Sequence, residues 1–173
     1  SGRVPPRKAW TPLTLANIGF GQGILVTPIQ LVRAYAAIVN GGWLVRPILI
    51  HSETSPPHRI FNSQVADKTL ESLEAVVGPG GTGVHAAIDG FRVAGKTGTA
   101  QKVDPTTGRY SQSKYVASFV GTVLGIEQKW VIFAALDEPR GAYYGAEVAA
   151  PLFKTITQTT LNRYNIAPDQ KLL

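Results

Sequence analysis

No cysteine occurs in the 173 residues, which excludes a disulfide framework and any thiolate-held metal. The absence also fits an oxidising compartment. Histidine is scarce: His51, His58 and His85 show no i,i+4 spacing and no companion acidic pair, so no metal centre is expected and no cofactor is called for. Uninterrupted apolar runs of about 18 residues are lacking, so nothing in the chain is expected to span a membrane. No basic n-region followed by an apolar h-region opens it, so no secretion signal is expected. The opening Ser1-Gly2-Arg3-Val4-Pro5-Pro6 reads as loop and suits a fragment better than a natural N-terminus.

The composition, 44% apolar and 16% charged, is that of a globular chain, and its length suits one compact domain. The net charge of +6 comes from basic residues scattered singly between Arg3 and Lys171, without a Lys/Arg run or an interleaved aromatic stripe. That pattern argues against nucleic acid as a partner. It suits work near anionic envelope polymers or lipid headgroups.

Along the chain, residues 1–26 are rich in proline and glycine and read as a loop lead-in. Thr27 before Pro28 is an N-cap with proline at the first helical position, and Gly41-Gly42 ends the apolar face that follows. A strand is expected near Trp43–Ile50, then a Pro56-Pro57 turn. A second helix starts at Asn62 or Ser63, with Val65, Leu70, Leu73, Val76 and Val77 on its buried side, and ends at Gly78-Pro79-Gly80-Gly81. Residues 27–90 thus form a helical part. The period then changes: Phe91–Gly95, Val116–Leu124 and Trp130–Leu136 are β-branched and aromatic runs of strand length. The last does not alternate, so both its faces are expected to be covered. The hairpin-sized Gly125–Lys129 implies antiparallel pairing. Gly145–Tyr164 returns to helical spacing, with Val148, Leu152 and Ile156 on one line, Ala149 and Phe153 beside it, and Pro151 in the first turn or at a kink. Residues 91–164 are sheet strands plus a final helix, and 165–173 a tail. The fold class is α+β, an antiparallel sheet flanked by helices.

Lys96-Thr97-Gly98-Thr99 follows the strand Phe91–Gly95. A bare Lys-Thr-Gly arises by chance in roughly one chain in thirty of this size, so its flanks carry the weight. Gly19-Phe20-Gly21-Gln22-Gly23 with Val26-Thr27-Pro28-Ile29-Gln30-Leu31 resembles the segment preceding the Lys-Thr-Gly strand of class B penicillin-binding proteins. Gly95-Lys96-Thr97-Gly98-Thr99-Ala100-Gln101 resembles their third active-site motif. Tyr115–Gly121 looks like the following strand. Asp137-Glu138-Pro139, Tyr143-Tyr144-Gly145 and Ala149-Ala150-Pro151-Leu152-Phe153 look like the last strand, its loop and the final helix. The resemblance runs from about Val4 to Pro168 and is closest to the septal, cell-division type.

That resemblance implies the C-terminal part of the fold shared by penicillin-binding proteins and serine β-lactamases. The implied activity is acyl transfer that crosslinks peptidoglycan, on the outer face of the bacterial inner membrane. Implied partners are the stem peptide and β-lactams in the intact domain, the upstream part of that domain, and division-machinery proteins. A serine acyl-transferase must hold a carbonyl, stabilise an oxyanion and bind the peptide's terminal carboxylate. The resemblance places the Thr99 N–H in the oxyanion hole. The hydroxyls of Thr97 and Thr99 are candidate carboxylate partners, and Gly98 lets an extended peptide lie close to the strand. Lys96 supplies positive charge and helps hold the proton-relay serine of the family's second motif.

The family also uses Ser-x-x-Lys and Ser-x-Asn. No Ser-x-Asn occurs; Leu15, Ile38, Ile60, Thr160 and Arg163 stand two before the five asparagines. The single Ser-x-x-Lys, Ser111–Lys114, lies downstream of Lys-Thr-Gly in a polar stretch, the wrong side for the family. No Gly-x-Ser-x-Gly occurs, and no histidine marks a triad. The chain therefore lacks the acylated serine, and alone it is not expected to be catalytic. The alternatives are a non-catalytic scaffold module, or a fragment of a related β-lactamase or β-lactam sensor.

Further candidates for a substrate-facing role are Tyr143, Tyr144, Gly145 and Gln101, with Lys102 continuing the groove wall. Asp137, Glu138 and Arg140 read as a solvated turn, Trp10, Trp43 and Trp130 as core anchors, and Lys102–Lys114 as a flexible loop over the site mouth. Without the upstream subdomain, apolar surface is expected to lie uncovered, favouring dimerisation, strand exchange or a partner chain.

Overall fold

The computed structural model describes residues 2–50 and 55–169; His51, Lys171 and the end of the 165–173 tail lie outside them. Helix α1 (Pro12–Gly19) comes first, after a short 3-10 turn at Arg7–Ala9, so the lead-in is not all loop. Its start repeats the device that opens α2 (Pro28–Val39). Thr11 accepts from the Thr14 N–H while Thr14 Oγ1 accepts from the Thr11 N–H. Thr27 and Gln30 do the same for α2. Such reciprocal caps satisfy two otherwise orphaned N–H groups. The Thr-Pro pair at 11–12 was thus the same helix signal as at 27–28, masked by the neighbouring prolines and glycines.

The strand expected at 43–50 shrinks to β1 (Trp43–Leu44), paired antiparallel with β2 (His58–Arg59), and Ile48, Leu49 and Ile50 are exposed. Trp43 is not a core anchor: it is 40% exposed, with the Arg59 guanidinium 4.9 Å from its ring centroid. Helix α3 (Ser63–Val77) is capped by the Asn62 side chain, as its sequence predicts. It buries Ala66 and Val77 but leaves Val65 exposed.

The main sheet has the order β3 (Arg92–Val103), β4 (Tyr110–Leu124), β5 (Ile132–Asp137), all antiparallel. Strand β3 does not end before Lys96 but runs on through it, so Lys-Thr-Gly lies in mid-strand. The expected loop at 102–114 is mostly strand, leaving a turn closed by Asp104 N–H to Arg109 O and Gly108 N–H to Asp104 O. Strand β5 lies at a sheet edge with Ala135 exposed, so its apolar run is not covered on both faces as expected.

Alternation puts Val93, Phe119 and Val123 on one face, packed with Ala134, Ala86, Ile88 and the inner side of α4 (Gly145–Arg163). Ala94, Val120 and Thr122, of opposite parity, are buried too, and α2 touches β4 and β5. The buried line of α4 is Gly145, Ala149, Phe153, Thr157, Leu161, one residue every four. Of the two apolar lines in its sequence, the one through Ala149 and Phe153 is the buried one, whereas Leu152 and Ile156 are exposed, and Pro151 sits in the second turn. The tail is held as far as it is described: the Asp169 N–H bonds Gly90 O at 2.9 Å and Ile166 packs on the core.

The accessible surface is 11685 Å², against about 8,200 Å² for a compact chain of 18.5 kDa. Leu13, Leu15, Phe20, Leu25 and Ile29 all stand exposed. Apolar surface is uncovered as expected, on α1, on the segment leading into α2 and at Ile48–Ile50 among other places.

Candidate active-site strand

Strand β3 has β4 on one side and, among the described residues, no strand on the other. Its outer edge therefore offers unpaired peptide groups to an extended ligand. The Lys96 ammonium donates to Thr97 O at 3.1 Å and to Thr97 Oγ1 at 3.3 Å, so the Thr97 carbonyl is reached from the open edge. Alternate residues of an antiparallel strand turn N–H and C=O to the same side. Thr99 thus shares that side, and its N–H faces the edge.

Side chains alternate in the same way. Thr97 and Thr99 share the face of Val93, which α4 covers, and Lys96 and Gly98 take the other. Thr97 Oγ1 lies 3.4 Å from Thr82 Oγ1; Thr82 is a neighbour that sequence reasoning missed, although the flanking Gly81 and Gly83 marked a tight backbone there. Thr99 Oγ1 accepts from the Gly145 N–H at 3.0 Å. Gly145 itself is buried and offers no side surface to a ligand.

The glycines of β3 differ in kind. A Cβ on Gly95 would lie 2.5 Å from Phe119 Cζ and 2.8 Å from Val120 O, so packing alone demands glycine. On Gly98 a Cβ would meet a single close atom, Ser118 Oγ at 2.5 Å, which a rotamer change can move.

The remaining candidates gather at the far end of the strand. Gln101 Nε2 donates to Ser111 O at 3.0 Å, across the hairpin. Lys102 spans to Asp137 at 3.0 Å and Glu138 at 2.8 Å, so these solvated carboxylates are also ion-paired. The hydrogen bond from Lys102 holds the Glu138 carboxyl below its usual range. Tyr143 stacks on Tyr115 with centroids 4.4 Å apart and contacts Tyr144, 51% exposed. Hydrogen bonding with Tyr144 pushes the Tyr143 phenol upward. Ser111 and Lys114 lie in β4, with Ser111 Oγ accepting from the N–H groups of Ser113 and Lys114; no lysine amine meets it among the described residues. A cavity of about 280 Å³ lined by Gln30, Arg33, Ile38, Leu44 and Phe61, among others, includes no residue of β3. Among the described residues, no group of acidic or imidazole side chains could hold a metal, and no helix is long and apolar enough to cross a membrane.

Comparison with known proteins gives the family. The family described as "Penicillin binding protein transpeptidase domain" matches residues 1–158. The peptidoglycan D,D-transpeptidase FtsI of Escherichia coli K12 is 39% identical over 173 residues, covering 98% of this chain and 29% of its own length. The probable peptidoglycan D,D-transpeptidase PenA of Neisseria gonorrhoeae is 37% identical, covering 95% and 28%. The transpeptidase domain of Burkholderia pseudomallei penicillin-binding protein 3 superimposes with a TM-score of 0.86 at 37% identity, covering 98% of this chain and 52% of that one. Penicillin-binding protein 3 of Mycobacterium tuberculosis, complexed with ampicillin, gives 0.87 at 32% identity, covering 98% and 42%. The chain therefore spans less than a third of these curated relatives and about half of the solved transpeptidase domain.

Proposed function

The chain belongs to the penicillin-binding protein transpeptidase family, and from that premise we propose that it supplies the substrate-binding edge of a peptidoglycan D,D-transpeptidase of the division type. The observation that carries the reading is an open-edged β3 with Lys96, Thr97, Gly98 and Thr99 in mid-strand, in a sequence without the acylated serine. An acyl donor ending in a D-alanyl-D-alanine-like carboxylate, or a β-lactam mimicking it, lies along this edge as an added strand. The Thr99 N–H then faces the carbonyl that becomes an oxyanion. The hydroxyls of Thr97 and Thr99 take the carboxylate, and Lys96 adds positive charge beside the serine contributed from elsewhere in the domain. Gly98 keeps the strand surface bare where no fixed internal obstacle requires it. Tyr143, Tyr144 and Gln101 stand at the far end of β3, beside β4, where they would meet the outer part of the ligand. The work site is the extracytoplasmic face of the inner membrane, where the polymer is.

A fluorescent penicillin tests the reading in the intact protein that contains this segment. Lys96→Ala there lowers the acylation rate by at least about 100-fold, the scale of losing one electrostatic stabiliser. An unchanged rate would remove Lys96 from the site. The 173-residue chain alone takes up no label; a covalent adduct would mean that a nucleophile has been overlooked.

A further inference from the structure

We propose that Gly145 is a positioning residue for this site: its N–H fixes the Thr99 hydroxyl as a hydrogen-bond donor aimed at the ligand's carboxylate. The inference rests on the reading of β3 given above and adds the element that orients it. A threonine hydroxyl has one proton and two acceptor lone pairs. The Gly145 N–H, 3.0 Å away, occupies one lone pair, so the proton points away from α4. Among the described residues no acceptor takes that proton. A half-buried hydroxyl that the Gly145 N–H bars from donating toward α4 can turn its proton to an incoming carboxylate.

The residue type follows from the approach. A Cβ on Gly145 would overlap Gly98 O and lie 2.5 Å from Ser118 O and 3.1 Å from Gly98 N, so only glycine brings this amide against β3. Nor does α4 need the N–H for itself, because the first four N–H groups of a helix have no intrahelical acceptor. Tyr144, at the N-cap, gives no side-chain cap. A competing role is therefore purely structural: Thr99 caps α4 from a neighbouring strand and does nothing for the ligand.

The test separates these in the intact protein. Gly145→Ala is the direct variant, but its Cβ strikes backbone and can disturb the fold. The decisive change replaces Gly145 by glycolic acid, so that the amide N–H becomes an ester oxygen of the same shape. Acylation rates are then measured with benzylpenicillin and with its methyl ester, which has no carboxylate charge. The ester backbone is expected to slow benzylpenicillin by about 5- to 10-fold, one hydrogen bond's worth, and the methyl ester by less than about twofold. An equal loss for both, or no loss, would overturn the positioning role. Thr99→Val and Thr99→Ser examine the underlying reading separately. Valine is expected to weaken the preference for the carboxylate, with Thr97 still in place, and serine to keep it. If valine leaves that preference intact, Thr99 is not a carboxylate partner, and the role of Gly145 fails with that part of the reading of β3. If valine weakens it but the glycolic ester does not, only the role of Gly145 fails.

Discussion

The stretch from Gly2 to Ala75 and the stretch from Val76 to Asp169 are both rich in apolar residues, yet they use them in opposite ways. Every member of the contiguous core, from Val77 to Leu161, belongs to the second. Among its described residues, the first stretch contributes Ala37 and Ala66 as its buried apolar residues, while α1 buries none. A hairpin-linked sheet with a helix across it closes a core from neighbours in sequence. Capped helices such as α1 and α2 can form locally, but they need a surface from elsewhere to bury their apolar stripes. One stretch carries the contiguous core, and the other leaves much of its apolar surface exposed.

The sharpest way to break this contrast is to cut equally hard on both sides. Phe153 is fully buried, its ring centroid 4.7 Å from that of Phe119. Phe153→Ala is expected to cost about 3–5 kcal/mol, the range for a buried aromatic, if it folds at all. Leu13 is 70% exposed, and Leu13→Ala should change stability by less than about 0.5 kcal/mol in this chain. Urea unfolding followed by circular dichroism compares them directly. A cost above about 1.5 kcal/mol for Leu13 would show that α1 already has a partner within the chain.

Within the second stretch, Gly95 and Gly98 sharpen the same point at the level of a single methyl group. Gly95→Ala drives a Cβ into the Phe119 ring and a backbone carbonyl, and overpacking of that kind costs about 1–3 kcal/mol. Gly98→Ala displaces one hydroxyl rotamer and should cost under about 1 kcal/mol. In the intact protein the order reverses for function: Gly98→Ala should depress penicillin acylation well beyond its effect on thermal stability. Parallel losses of stability at both positions would mean that Gly98 is glycine for packing, not for a ligand.

Legibility in the sequence divides along similar lines. Helices α2 and α3 could be read because Thr27-Pro28 and Asn62 cap well-spaced apolar faces, and the part of β4 from Val116 to Leu124 because its run is apolar and rich in β-branched residues, whereas its polar start at Tyr110 read as loop. Helix α1 carried the same cap, but its apolar residues face no core, so no burial pattern reinforced it. The length of β3 was hidden because Lys96–Gln101 reads as polar turn chemistry; it stays extended through the ladder to β4, from Arg92↔Leu124 to Gln101↔Tyr115. In α4 the true inner line runs through Gly145 and Thr157, residues too small or too polar to register as core. At the site, Lys96–Thr99 were visible as a motif. Thr82 and the Gly145–Thr99 bond depend on contacts 15 and 46 residues apart, which no local pattern contains.

The smallest effect belongs to the seam between the two stretches. Arg92, opening β3, grips Glu74 of α3 through two bonds of 2.7 Å. The hydrogen bond from Arg92 lowers the Glu74 carboxyl below its usual value, with partial burial pulling the other way and the Arg92 charge adding to the lowering. A carboxylate whose folded value is depressed contributes stability above its unfolded value, about 4.3. That contribution fades as pH falls from there and is lost once pH passes below the folded value. The side chains are 51% and 30% exposed, so solvent screening limits the pair to about 0.5–1 kcal/mol. Glu74→Gln should therefore lower the melting temperature by a few degrees at pH 7, and the gap from the parent chain should narrow as pH falls below about 4.3 and close once pH passes below the folded value. A gap that persists in acid would mean that Glu74 holds α3 on β3 by shape rather than charge, and that this seam, like the core beyond it, is a packing contact.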